Sequence, residues 1–349
     1  MADMASLPNG LITFGPSANC TLDTCPIEAS LLRYQPNIPA TAVPIAIFGV
    51  SLLLHSWQGA RAKTWGFMGS MLCGCILEII GYVGRLIIHD NPFDFIGFLI
   101  QIICITVAPV FFCSAIYVLL SQVYVVLVPP QIYPCSVKSS LYAKTAIDTK
   151  PTNSINFVDP SLSRLKPQLF YWIFIPCDIV SLILQAVGGA LSCVATDRKA
   201  IENGENISLA GLIFQVVTLV VFSALFADYV FKAARSPSRS RLNRAMIIFL
   251  GFLFASTFII LVRCAYRIVE LGQGYFSAIF RDEDLFIGLE TVTMCVAALL
   301  LNAGHPGMAF KRKEVTEETK GVDTPFECLA NGTNEDISMT SIAENGENK

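Results

Sequence analysis

The sequence predicts an all-α, polytopic membrane protein of seven transmembrane helices, with the N-terminus outside and the C-terminus in the cytosol. Three observations carry that prediction. Of 349 residues, 54% are hydrophobic and only 15% charged, with a mean hydropathy of +0.59, whereas soluble domains are about 25% charged. Seven apolar stretches each run to the ~20 residues or more that a helix needs to cross roughly 30 Å of hydrocarbon. The basic residues gather on alternate connections between those stretches, the mark of cytosolic loops.

Taken in order, residues 1–39 form an exoplasmic segment. It holds one basic residue, Arg33, and lacks the charged start and apolar core of a cleavable signal peptide. The membrane domain then spans 40–310, with spans near 40–58, 65–88, 95–126, 168–193, 207–231, 245–270 and 285–304. The third span is long enough to tilt or to emerge into the cytosol. The seventh begins after Arg281, Asp282, Glu283 and Asp284, which mark the water boundary. Residues 127–167, with Pro129, Pro130, Pro134, Pro151, Pro160 and Pro167, read as a cytosolic loop, and 232–244 as a short basic one. Asp228, at the inner end of the fifth span, reads with that basic loop as an interfacial anchor. Residues 311–349 are polar, acidic and poor in aromatics, the composition of a disordered tail.

Orientation follows from a count. With the N-terminus outside, fifteen Lys and Arg up to Lys313 fall in cytosolic segments and four, Arg33, Arg198, Lys199 and Arg281, on the exoplasmic side. The sequons at Asn19 and Asn206 then face the compartment in which glycans are added, while Asn331 lies in the cytosolic tail. The net charge of −3 belongs to that tail: up to Phe310 the chain carries nineteen bases against eighteen acids. With no basic excess there is no footprint for nucleic acid.

Of twelve cysteines, Cys73, Cys75, Cys104, Cys113, Cys177, Cys264 and Cys295 lie inside apolar runs and behave as small hydrophobes. Cys20 and Cys25 lie in the exoplasmic segment, where an oxidising compartment permits a disulfide. Cys193, at the outer end of the fourth span, is a third candidate, so the connectivity is open.

Ionisable groups in hydrocarbon cost at least ~2.5–3.5 kcal/mol each and mark functional positions. Seven stand inside these spans: Glu78, Arg85, Asp178, Arg263, Arg267, Glu270 and Glu290. Glu78 and Arg85 are two turns apart and share a helical face. Arg263, Arg267 and Glu270 follow at spacings of four and three and share another. Glu78 and Asp178 fall near the midplane, and the rest toward the exoplasmic leaflet. Gln101, Gln185 and Gln215 lie in the same outer halves. The pattern predicts one polar cavity in the outer half of the bundle, its charges paired across helices. The bland alternative is a set of static ion pairs holding the helices together. Pro109, mid-span in the third helix, must kink it or free a carbonyl. Gly188 and Gly189 in the fourth, with Gly81 and Gly84 in the second, allow a hinge or close packing.

Chemistry at a metal or a nucleophile finds no support. The three His, at 55, 89 and 305, fall on opposite membrane faces and cannot share a metal. There is no phosphate-binding glycine loop ending in Lys and Ser/Thr, and the scattered Ser and Cys form no nucleophile–His arrangement with an acid to orient it. The sequence implies no cofactor and no enzyme activity.

The runs LEIIGYVGR (77–85), QIICITVAPVFFCSAIY (101–117), DIVSLILQAVGG (178–189), RCAYRIVELGQG (263–274) and NAGHPG (302–307) resemble those of the fungal lipid-translocating exporter family, the RTA-like seven-helix proteins. The resemblance runs in order over about residues 40–310 and places Glu78, Arg85, Gln101, Pro109, Asp178, Gln185, Arg263, Arg267, Glu270 and His305 on the family's motifs. Glu290 departs from it, standing where the family is expected to carry Asp. The resemblance implies a plasma-membrane protein whose partners are membrane lipids and an amphipathic small molecule. It also implies export of sphingoid-base-like lipids or hydrophobic toxicants, with resistance to them. Carboxylates in an outward-opening cavity suit a cationic amphiphile, and the Arg residues suit a phosphate. The rival is a seven-helix receptor for lipid or sterol-like ligands. Against it, Ser121-Gln122-Val123-Tyr124 stands at the inner end of the third span where a receptor would carry an acidic residue followed by Arg-Tyr.

Overall fold

The computed structural model describes residues 10–127, 167–194, 198–235, 244–274 and 277–304, all within the compact unit Met1–Phe310. Most of the proline-rich loop, most of the basic connection after Arg235, His305 and the acidic tail lie outside the described residues.

The described chain is helical. Seven helices are long and apolar enough to cross a membrane: α1 (Ile38–Ala62), α2 (Trp65–Asp90), α3 (Phe95–Leu127), α4 (Pro167–Val194), α5 (Arg198–Arg235), α6 (Arg244–Gly272) and α7 (Glu283–Ala303). Consecutive helices pack side by side, α7 returns to α1, and α3 also touches α6. The burial pattern is inverted relative to a soluble protein. Side chains such as Leu53, Ile96, Ile183, Val217 and Phe258 are exposed on the outer faces, while Glu78, Arg85, Asp178, Arg263 and Glu290 are buried within. Lipid, not water, satisfies such a surface.

Helix ends obey local chemistry that hydropathy does not report. Asn37 caps α1 through its side chain, with Pro39 in the first turn, and Lys63 closes it in the left-handed region at φ 56°. Asp282 caps α7 by accepting from the N–H groups of Asp284 and Leu285. The acidic run that signals the water boundary is thus also the start of the helix. α5 begins at Arg198, well before its apolar stretch at 207, because polar residues such as Lys199, Glu202 and Asn203 continue a helix without entering hydrocarbon. Within α7, Phe286–Val292 winds as a π-helix, a feature that recurs at functional positions. α3 and α4 run unbroken through Pro109, Pro176 and the Gly188-Gly189 pair.

The core is aromatic. Phe48, Tyr82 and Phe112 stack across α1, α2 and α3, and Tyr117, Phe174, Phe222 and Phe226 continue the cluster through α3, α4 and α5. At one end the N-terminal segment folds onto the bundle. Leu31, Leu32 and Phe14 pack against Ile88, Phe98 and Phe280, and the Cys20–Cys25 disulfide is formed and packs with Phe93.

Candidate functional site

The cavity at the N-terminal-segment end of the bundle is built where α2 and α3 can approach each other. A Cβ on Gly84 would lie 2.8 Å from the Gln101 nitrogen and 2.9 Å from the Gly97 carbonyl, so only glycine permits the contact. That closeness sets Arg85 and Gln101 on one wall. α6 supplies Arg267 and Glu270, α7 supplies Phe286 and Glu290, and the N-terminal segment supplies Tyr34. The open volume is about 20 Å³, enough for about one water. A lipid chain enters only if helices or the N-terminal segment move.

Three guanidiniums are each matched by a carboxylate. Arg85 donates to Glu283 at 2.9 Å and to the Tyr34 hydroxyl at 3.3 Å, and lies 4.3 Å from the centre of the Phe286 ring. Glu283 also accepts from the Asn37 backbone N–H, which ties α1, α2 and α7 together. Burial pushes the Tyr34 phenol up from its usual range, while the Arg85 charge pulls it down. Arg267 pairs with Glu270 on its own helix and reaches the Thr106 hydroxyl of α3 at 3.3 Å.

Arg263 holds three helices at one point. It pairs with Glu290 in the π-helical stretch of α7 and donates to the Ile105 carbonyl of α3 at 2.6 Å. That carbonyl is available because Pro109, four residues later, has no N–H to give it. Freeing a carbonyl is one of the two outcomes the proline allows, and an arginine from another helix fills the gap.

Glu78 is the carboxylate left over. It is fully buried, no group among the described residues hydrogen-bonds either oxygen, and Arg263 and Glu290 are the charged groups that act on it.

Asp178 and Gln185 do not join this cluster. Asp178 on α4 accepts from the Thr218 hydroxyl of α5 at 3.5 Å, and Gln185 donates to Gln215 at 2.9 Å. Ser208 donates to the Gln185 backbone carbonyl at 3.0 Å. None of these residues lines the cavity, and neither do Glu78 and Arg263; the polar groups that sequence depth places in one layer fall in two clusters, one between α4 and α5 with Tyr117 of α3 beside Asp178, and one among α2, α3, α6 and α7. Gly188 belongs to the first. A Cβ there would sit 2.4 Å from the Ser208 nitrogen and 2.5 Å from the Gly204 carbonyl, whereas Gly189 has nothing closer than 3.9 Å.

Sequence reasoning missed Glu283, Tyr34, Thr106 and Phe286. Glu283 reads as boundary from its acidic neighbours, and its signal is arithmetic: Arg85 needs a carboxylate at its own depth. Among the described residues no group of three or more His, Cys, Asp or Glu is placed to hold a metal ion.

Comparison with known proteins gives concordant matches. The family described as RTA1 like protein matches residues 71–149 and 151–313. The chain is 30% identical to the sphingoid long-chain base transporter RSB1 of Saccharomyces cerevisiae over 80% of this chain and 74% of that protein. It is 25% identical to protein RTM1 over 81% of this chain and 93% of the relative, and 22% identical to protein RTA1 over 90% and 96%, both from the same yeast. No solved structure matches.

Proposed function

The chain belongs to the RTA1-like protein family, and from that premise we propose that it is a translocator exporting amphipathic lipids of the sphingoid-base kind, or hydrophobic toxicants, and so confers resistance to them. Its location in this reading is the plasma membrane, with the N-terminus outside. The observation that carries the reading is the surplus carboxylate: Glu78 lies buried with no hydrogen-bonding group among the described residues, and Glu290, one of the charged groups that act on it, lines the ion-paired cavity. A sphingoid base offers what that arrangement lacks, a single ammonium on a long apolar tail. The ammonium pairs with Glu78 or with a carboxylate that Glu78 displaces, and the tail lies among the apolar side chains between α2, α3 and α7. Arg85 and Arg267 suit a phosphate on the same kind of headgroup. Gln101 lines the cavity with its carbonyl oxygen lacking a protein partner and fits as an acceptor for headgroup hydroxyls. Asp178 and Gln185 brace α4 against α5 and shape the bundle rather than the cavity. No bond is made or broken in this reading, which places the protein among carriers rather than enzymes.

The test is reconstitution of the purified protein in vesicles with a fluorescent long-chain amine, following its passage between leaflets. Wild type is expected to speed passage well above protein-free vesicles. Glu78→Gln is expected to reduce the protein-dependent rate at least tenfold with the fold intact, while Asp178→Asn acts chiefly on stability. Binding without passage would replace this reading with a receptor.

A further inference from the structure

The guanidinium that acts on Glu78 is already paired with another carboxylate. Arg263 on α6 is held by Glu290 of α7 and by the Ile105 carbonyl of α3, while Glu78 of α2 has Arg263 and Glu290 as its charged neighbours. The other titratable groups around Glu78 are Cys75 and Tyr82 on its own helix, Cys104 on α3 and Cys295 on α7. The Tyr82 hydroxyl is committed to Thr291, to which it donates at 2.8 Å. Glu78 itself is completely buried and neither of its oxygens meets a hydrogen-bonding group among the described residues. A bare carboxylate ion is not tolerated in such a place. It must hold a proton, or a cation must come to it.

We propose that Glu78 is a proton site and that this protein exchanges a proton for its cationic amphiphile, with Arg263 as the movable element between Glu78 and Glu290. This rests on the function proposed above and supplies the energy source for it. The exchange balances: the protonated Glu78 carboxyl and an arriving ammonium give a Glu78 carboxylate paired with a cation and one released proton. Equivalently, Arg263 turns to Glu78 as that proton leaves, and the ammonium takes over Glu290. Either way one cation replaces one proton, and the buried charge is unchanged. Turning Arg263 breaks no helical hydrogen bond, because Pro109 already leaves the Ile105 carbonyl without its backbone donor, and the arriving headgroup or a water must then satisfy that carbonyl. The remaining pairs, Arg85 with Glu283 and Arg267 with Glu270, hold the cavity walls meanwhile.

The experiment uses the full chain in vesicles, the membrane potential clamped at zero, and a long-chain trimethylammonium probe. That probe carries no exchangeable proton and so cannot follow a pH gradient on its own. Wild type is expected to concentrate it on the acidic side by about tenfold for each unit of pH difference, as one-for-one exchange requires, while a trapped dye reports proton flow in the opposite direction. In Glu78→Gln both are lost, and in Glu78→Asp both persist. If the primary amine crosses but no pH gradient concentrates the probe, or if the probe is not carried, the exchange is overturned and the translocator stands. If neither amine nor probe moves through correctly folded wild type, the function falls and the exchange with it. The wild-type gradient experiment decides the matter even if Glu78→Gln does not assemble.

Discussion

Pro109 lacks an N–H, the Ile105 carbonyl four residues earlier loses its helical donor, and Arg263 arrives from α6 to replace it while pairing with Glu290. The consequence is measurable. Removing one partner of a buried ion pair strands the other charge and costs on the order of 3–5 kcal/mol. Arg263→Gln is therefore expected to lower stability in detergent micelles by about that much, and Arg263→Gln with Glu290→Gln together by clearly less, as read by thermal unfolding. In a Pro109→Ala background, Ile105 regains a backbone donor, so the Arg263→Gln penalty should shrink by roughly 0.5–3 kcal/mol of coupling. Additive effects would show that the carbonyl does not anchor Arg263. The individual charges were legible in the sequence because ionisable residues stand out against apolar runs. Their pairing was not: Glu78 and Arg85 share a face by spacing, yet Arg85 pairs with Glu283 and Glu78 with none of them.

α4 and α5 illustrate a distinction that composition blurs. Gly188 and Gly189 are neighbours, and both suggest a hinge or tight packing. Only Gly188 faces α5 closely enough to matter, at 2.4 Å from backbone rather than from a side chain that could turn away. Gly188→Ala is expected to destabilise by about 1–3 kcal/mol, because backbone cannot yield to the new methyl. Gly189→Ala should be neutral or stabilising by roughly 0.5–1 kcal/mol, since alanine is the better helix former. Thermal unfolding of the two variants separates the cases: a flexible hinge would make both substitutions slow transport without changing stability. The π-helical stretch of α7 is likewise an element-scale feature that periodicity does not announce. It carries Glu290 in its interior, fully buried against Arg263.

At the scale of the whole molecule, the inside-out burial pattern and seven spans make the chain an integral membrane protein. Its orientation rests on charge, with bases collected on one side. If the N-terminus is outside, endoglycosidase should increase the gel mobility of the protein isolated from a eukaryotic host. Asn19→Gln should remove part or all of that shift, and Asn331→Gln none. The reverse orientation would put the only usable sequon at Asn331. Asn206 lies exposed on α5, with the Ser208 hydroxyl of its sequon turned to the Gln185 carbonyl. The N-terminal segment adds a second whole-molecule expectation. Tyr34 and Asn37 fasten it to Arg85 and Glu283, so Glu283→Gln should loosen that end and speed hydrogen exchange at Asn37 and its neighbours.

By itself the sequence determined that the chain lives in a membrane, crosses it seven times and carries charges within it. Transfer free energy is a sum over residues, and a sum can be read along a line. The helical spacing rule also settled which charges share a face. What the tertiary structure decided is who meets whom. It put Asp178 and Gln185 with α5 rather than in the cavity, brought Glu283 in from the boundary, and set Arg263 on the carbonyl that Pro109 frees. Pairing in a low-dielectric interior depends on distances of a few ångströms between helices far apart in sequence, and depth along each span leaves rotation about its axis and the choice of neighbour undetermined. One carboxylate, Glu78, comes out of that arrangement with no hydrogen-bonding partner among the described residues.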